Sequence, residues 1–133
     1  MYKYKYVITI ELILKPTNDK IILKRSDILT DLAVNTGVKS IVINELIDLA
    51  KKYNIQKLIL FGSRARGTFY EKSDIDIAIS GGDKTSFSFD VNENVSTLLE
   101  FDIIDLDKNI QKKLRASIEK EGIVIYEKIW KLL

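Results

Sequence analysis

The segment Asp74-Ile-Asp-Ile-Ala-Ile-Ser80 constrains this chain more than any other stretch. Side chains alternate across a β-strand, so Ile75, Ile77 and Ile79 line one face while Asp74, Asp76, Ala78 and Ser80 line the other. Three isoleucines on one face require that face to be buried, and burial fixes the register. Asp74 and Asp76 then project together, roughly 7 Å apart along the strand. Carboxylates held so close repel unless a cation lies between them. A pair of solvated strand carboxylates is the plainer alternative, although Asp is disfavoured in strands.

Other elements fall around this strand. Lys57-Leu-Ile-Leu-Phe61 is a short apolar strand that runs into Gly62-Ser63, and Glu100–Leu106 predicts a third strand. In that third strand Phe101 and Ile103 take one face and Asp102 the other, with Asp105 back on the Phe101 side as a strand-end carboxylate. Ile123–Tyr126 predicts a last strand. From Ser40 onward, Ile43, Leu46, Ile47, Ala50 and Tyr53 recur at helical spacing. Asp107 is placed to cap a final helix that turns Ile110, Leu114 and Ile118 inward and closes at Gly122. Residues 86–99 fit either a helix, through Phe87, Val91, Val95, Leu98 and Leu99, or a strand at Ser86–Phe89.

Residues 1–37 differ in character. Tyr4, Tyr6, Ile8 and Ile10 suit a half-buried strand, Pro16–Asp19 a turn, and Ile21–Leu23 a returning strand. Ser26 is placed to cap a short helix over Asp27–Val34 that ends near Gly37. The expected class is α+β: a small mixed β-sheet with helices packed on one face. A hairpin-like extension over 1–37 precedes a main domain over 38–133. The extension carries no chemistry and suits a dimer or partner surface, so homo-oligomerisation stays open.

Composition narrows the chemistry by what it lacks. With no Cys and no His, a zinc site of the usual kind, a thiol nucleophile and a Ser-His-Asp triad are all excluded. Catalysis must therefore rest on carboxylates, Lys, Arg, hydroxyls and bound metal. A net charge of +2 is too small to argue for nucleic acid, and Lys51-Lys52 and Lys112-Lys113 read as solvated helix faces. No apolar run approaches a membrane span, and the alternating aromatic and basic N-terminus is unlike a signal peptide, which predicts a cytoplasmic protein.

Phe61-Gly-Ser-Arg-Ala-Arg-Gly67 supplies a phosphate candidate. A strand ending in Gly-Ser at a helix start exposes backbone N–H groups and a hydroxyl, and Arg64 and Arg66 add charge. Alone, an ordinary strand-to-helix turn with surface arginines explains it equally well. It is not a Walker A loop, because Thr68-Phe69 stands where Lys-Ser/Thr is required, and Arg64 breaks a Gly-x-Gly-x-x-Gly pattern.

Gly62-Ser63, ten intervening residues, and Asp74-Ile-Asp76, followed by Asp102, together resemble the DNA polymerase β-like nucleotidyltransferase superfamily, and within it the minimal nucleotidyltransferases. The similarity runs over about residues 40–127. It implies the polymerase β-like fold and metal-dependent transfer of AMP from ATP, with Mg²⁺, or Mn²⁺, held by Asp74, Asp76 and Asp102. Gly62 and Ser63, helped by Arg64 and Arg66, would hold the triphosphate, and Asp102 would help deprotonate the acceptor hydroxyl. The resemblance further implies an antitoxin that adenylylates a tyrosine of a helical HEPN-family toxin. Modification of a small hydroxylated molecule and a binding-only antitoxin are the alternatives.

Overall fold

Alternation along 74–80 and three-four spacing along 40–52 both mature into the elements they imply. The computed structural model describes residues 4–5 and 25–128. Among them the order is β1 (Tyr4–Lys5), α1 (Arg25–Thr36), α2 (Ser40–Lys52), β2 (Lys57–Phe61), α3 (Gly62–Arg66), β3 (Ile75–Ser80), α4 (Lys84–Asn94), β4 (Phe101–Asp105), α5 (Lys112–Glu121) and β5 (Ile123–Glu127). The strands form one sheet in the order β1-β5-β2-β3-β4. β2 is antiparallel to β3 and β5, whereas the β3–β4 and β1–β5 pairs are parallel. Parallel neighbours need a crossover, and α4 provides it between β3 and β4.

The sheet has two apolar faces. On one, Leu58, Leu60, Ile75, Ile77 and Ile79 meet Leu32 of α1, Ile43, Leu46 and Ile47 of α2, and Phe87 and Val91 of α4. Full burial of each such side chain is worth about 1.5–3 kcal/mol. On the other, Ile59, Phe61, Ala78 and Val124 pack with Ile118 of α5, and Leu114 and Ile104 lie at the margin. The α+β class and the mixed sheet are therefore as expected. Covering from one side holds for α1, α2 and α4. α5 departs from it, because Ile118 and Leu114 find their apolar partners on the opposite face.

Two local expectations are corrected and one open choice is resolved. α1 begins at Arg25, so Ser26 lies inside the helix, where its carbonyl accepts the Thr30 hydroxyl at 2.8 Å. Asp107 does not cap α5, which starts at Lys112. Its carboxylate accepts the Gly81 N–H at 2.8 Å and pairs with Lys84 at 2.8 Å. The open stretch 86–99 is helical up to Asn94, with Asp83 accepting the Ser86 N–H at 3.1 Å as its N-cap.

Within residues 1–37, Leu29 and Leu32 of α1 join the main core, and Gly37 ends the helix with φ +67°. The turn at Pro16–Asp19 and the returning strand Ile21–Leu23 lie outside the described residues. Among the described residues no helix is long and apolar enough to cross a membrane.

Candidate active site

Register decides which carboxylates meet. Asp76 of β3 stands directly opposite Asp102 of β4, and Phe61 of β2 stands opposite Asp76 on its other side. Neighbouring strands lie about 4.8 Å apart, and paired residues share a face. Asp76 and Asp102 therefore lie side by side on the α5 face, in the same cross-strand row as Phe61, at the edge of the apolar patch. Asp74 immediately precedes β3 and is exposed, as is Asp102, whereas Asp76 is half-buried.

Electrostatics agree with that placement. Partial burial pushes the Asp76 carboxyl above the ordinary carboxylate range, and the negative charges of Asp102 and Asp74 push it further. Arg66 and Arg64 act in the opposite sense but do not cancel the rise. Repelled carboxylates of this kind bind a divalent cation favourably, because oxygen ligands and negative charge suit Mg²⁺ or Mn²⁺. Among the described residues no three acidic side chains close around a metal by themselves. Mg²⁺ commonly takes one or two carboxylates and completes its shell with substrate phosphates and water, so the residues present fit such an ion.

The turn beside them is shaped by the same carboxylate. β2 passes directly into α3, and Gly62 has φ +73°. A Cβ at that position would run into the Asp76 carboxylate, so only glycine lets the turn and Asp76 occupy their places together. Ser63 is half-buried at the start of α3, and its carbonyl accepts the Thr68 N–H at 3.0 Å. Arg66 is exposed at the surface and pairs with Glu121 of α5 at 3.0 Å. Its charge reaches Asp76, so it stands on the acidic side.

Arg64 departs from expectation. It is 1% exposed and points inward, with its donors on backbone carbonyls and its guanidinium over the Phe69 ring. Those bonds occupy the groups that a phosphate would use. Sequence reasoning also did not anticipate Glu121, Thr36 and Gly37 around the site. An arginine beside Gly-Ser looks the same in sequence whether it faces ligand or core.

With the acidic row and the glycine turn side by side, the family model for polymerase beta nucleotidyltransferases matches residues 44–129, well over half of the chain. The chain belongs to the polymerase beta nucleotidyltransferase family. A candidate protein adenylyltransferase of Methanocaldococcus jannaschii is 35% identical over 96 residues, covering 63% of this chain and 94% of that protein. A crystal structure of the toxin–antitoxin MntA–HpeT superposes with TM-score 0.53 at 22% identity, over 65% of this chain and 73% of that one. That structure carries a variant in which two aspartates separated by one residue are changed to glutamate. A toxin–antitoxin crystal structure with AMP-PNP gives TM-score 0.53 at 24% identity, over the same shares of the two chains. These two likenesses establish the nucleotidyltransferase fold.

Proposed function

We propose that this nucleotidyltransferase moves AMP from ATP to an acceptor hydroxyl, and that the acceptor is a tyrosine of a helical HEPN-family toxin that it neutralises. The carrying observation is the lateral pairing of Asp76 with Asp102 beside Gly62, with Asp74 two residues upstream. The relative from M. jannaschii, a candidate protein adenylyltransferase, supports a protein acceptor. The structural neighbours from toxin–antitoxin pairs, one with AMP-PNP, support the partner class and the nucleotide.

In this reading Gly62 and Ser63 hold the triphosphate at the start of α3, and Arg66 adds a cation at its edge. Asp74 and Asp76 would hold a divalent ion, and Asp102 would hold a second and draw the proton from the acceptor hydroxyl. When bound, the ions neutralise charge on the attacking and leaving oxygens. The acceptor oxygen forms a bond to the α-phosphorus, the bond to the bridging oxygen breaks, and pyrophosphate leaves with the negative charge. No histidine is needed for this sequence, in keeping with a chain that has none.

The test is intact-mass spectrometry of the helical protein encoded next to this one, incubated with this chain, ATP and Mg²⁺. The expected result is a mass gain of AMP on the partner that disappears with Asp74→Asn/Asp76→Asn. Neutralisation of the partner by that same variant would instead establish a binding-only antitoxin. Consumption of ATP with no modified protein would point to a small hydroxylated acceptor.

A further inference from the structure

We propose that Arg64 is a positioning residue that holds the Asp74 backbone in the acidic row and thereby makes the last turn of α1 part of the site. The inference rests on the transfer reading above. Arg64 is one of the largest fully buried side chains among the described residues. Its Nε and Nη2 both donate to the Ser73 carbonyl, at 3.0 and 2.8 Å. Nη2 also reaches the Glu71 carbonyl at 3.1 Å, and Nη1 donates to the Thr36 carbonyl at 3.0 Å. The Nε–Nη2 edge, which would grip a phosphate through two bonds, is thus taken up by the peptide just before Asp74.

That peptide needs such a clamp. Asp74 lies outside β3, and pairing with the neighbouring strand begins at Ile75, whose N–H donates to the Glu100 carbonyl at 2.8 Å. Asp74 is therefore fixed from one side by the sheet and from the other by Arg64. The clamp is seated on the corner between α1 and α2. Thr36 is buried, its hydroxyl donates to the Leu32 carbonyl at 2.6 Å, and it accepts the Val38 N–H at 3.2 Å. A side chain at Gly37 would collide with the Phe69 ring and with Arg64 Nη1. The Phe69 ring covers the guanidinium at 4.9 Å. The family model begins at residue 44, so the Thr36 and Gly37 side of this socket is supplied by chain that precedes the matched region.

The experiment compares wild type, Arg64→Lys and Arg64→Met as full-length chains. It measures amide hydrogen exchange over 68–75 without nucleotide, and AMP-transfer rates across a range of ATP concentrations. Both variants should exchange faster at 73–75 than wild type. For Arg64→Met, kcat should fall about 100-fold while the KM for ATP stays within about 3-fold, because misplacement of a catalytic group affects the reaction more than binding. Lysine keeps the charge without the fork, so Arg64→Lys should lose less than Arg64→Met and remain about 10-fold slow. A raised KM for ATP with kcat retained and exchange unchanged would make Arg64 a phosphate ligand and overturn the proposal. So would unaltered exchange in Arg64→Lys. Absence of any transfer by wild type would remove the transfer reading alone, since the exchange result without nucleotide still decides whether Arg64 holds the Asp74 peptide.

Discussion

The β3–β4 pair carries acidic residues at both ends, and the two ends are built in opposite ways. At one end Asp76 faces Asp102 with Asp74 nearby, and burial, then the charges of Asp102 and Asp74, raise the Asp76 carboxyl. At the other, Asp105 and Asp107 share Lys84, at 3.9 and 2.8 Å, and Asp107 also accepts the Gly81 N–H. The ammonium of Lys84 and that N–H hold the Asp107 carboxyl below the ordinary range. Acidic residues that serve the fold are paired. Acidic residues left to repel one another around a half-buried Asp76 favour positive charge, which the divalent cation proposed above would supply. The contrast separates a site from a strand end more sharply than the number of aspartates does.

Removing charge from the repelled end is expected to have the largest effect. Asp76→Asn should lower AMP transfer by about 10²–10³-fold, a loss typical of deleting one preorganised electrostatic group. The same variant should melt at a higher temperature than wild type in metal-free buffer at neutral pH. The folded chain holds the Asp76 proton more tightly than the unfolded chain does. That contribution is fully present below the unfolded carboxylate value and is lost as pH rises through the raised folded value. Thermal melts in EDTA from acidic to neutral pH, repeated with Mg²⁺, check both statements, and a variant less stable than wild type in EDTA at neutral pH would contradict them.

Gly62→Ala comes next. A non-glycine residue at φ +73° costs about 1–2 kcal/mol, and the new methyl would displace the Asp76 carboxylate. Stability and transfer should both fall, measured by denaturant midpoint and initial rate. At the paired end, Lys84→Met should cost no more than about 1 kcal/mol, because partly exposed ion pairs are weak. Transfer should be unchanged. Asp107→Asn is the smallest expected change and carries the opposite pH sign. The pair's contribution is present above the unfolded carboxylate value and is lost as pH falls through the depressed folded value, so the variant's deficit should vanish in acid. Melts from neutral to acidic pH read that out.

Much of the sheet is legible in the sequence because its alternation is regular. Ile75, Ile77 and Ile79 allow one register, and that register places Asp76 on the face where Asp102 also stands. α2 is legible for the same reason, since Ile43, Leu46, Ile47 and Ala50 are all buried. What was not legible depends on distant partners. Asp107 has the local chemistry of a helix cap, yet Gly81, 26 residues away, takes its carboxylate. Ser86–Phe89 carries too short a pattern to choose between states, and the Asp83 cap together with burial of Phe87 and Val91 makes it helical. Arg64 reads as a phosphate ligand beside Gly-Ser, but a carbonyl 28 residues upstream turns it inward. The side of the sheet chosen by α5 was likewise unreadable, because two apolar faces were available and only tertiary packing distributes helices between them.

In the proposed reaction Asp74, Asp76 and Asp102 act together as oxygen ligands for a divalent cation beside a nucleotide. Electron paramagnetic resonance of Mn²⁺, titrated into the full chain with a non-hydrolysable ATP analogue, tests it most directly. Wild type should bind Mn²⁺ saturably, and that binding should be largely lost in Asp76→Asn/Asp102→Asn, with the fold preserved by circular dichroism. Equal Mn²⁺ affinity in the two proteins would contradict it.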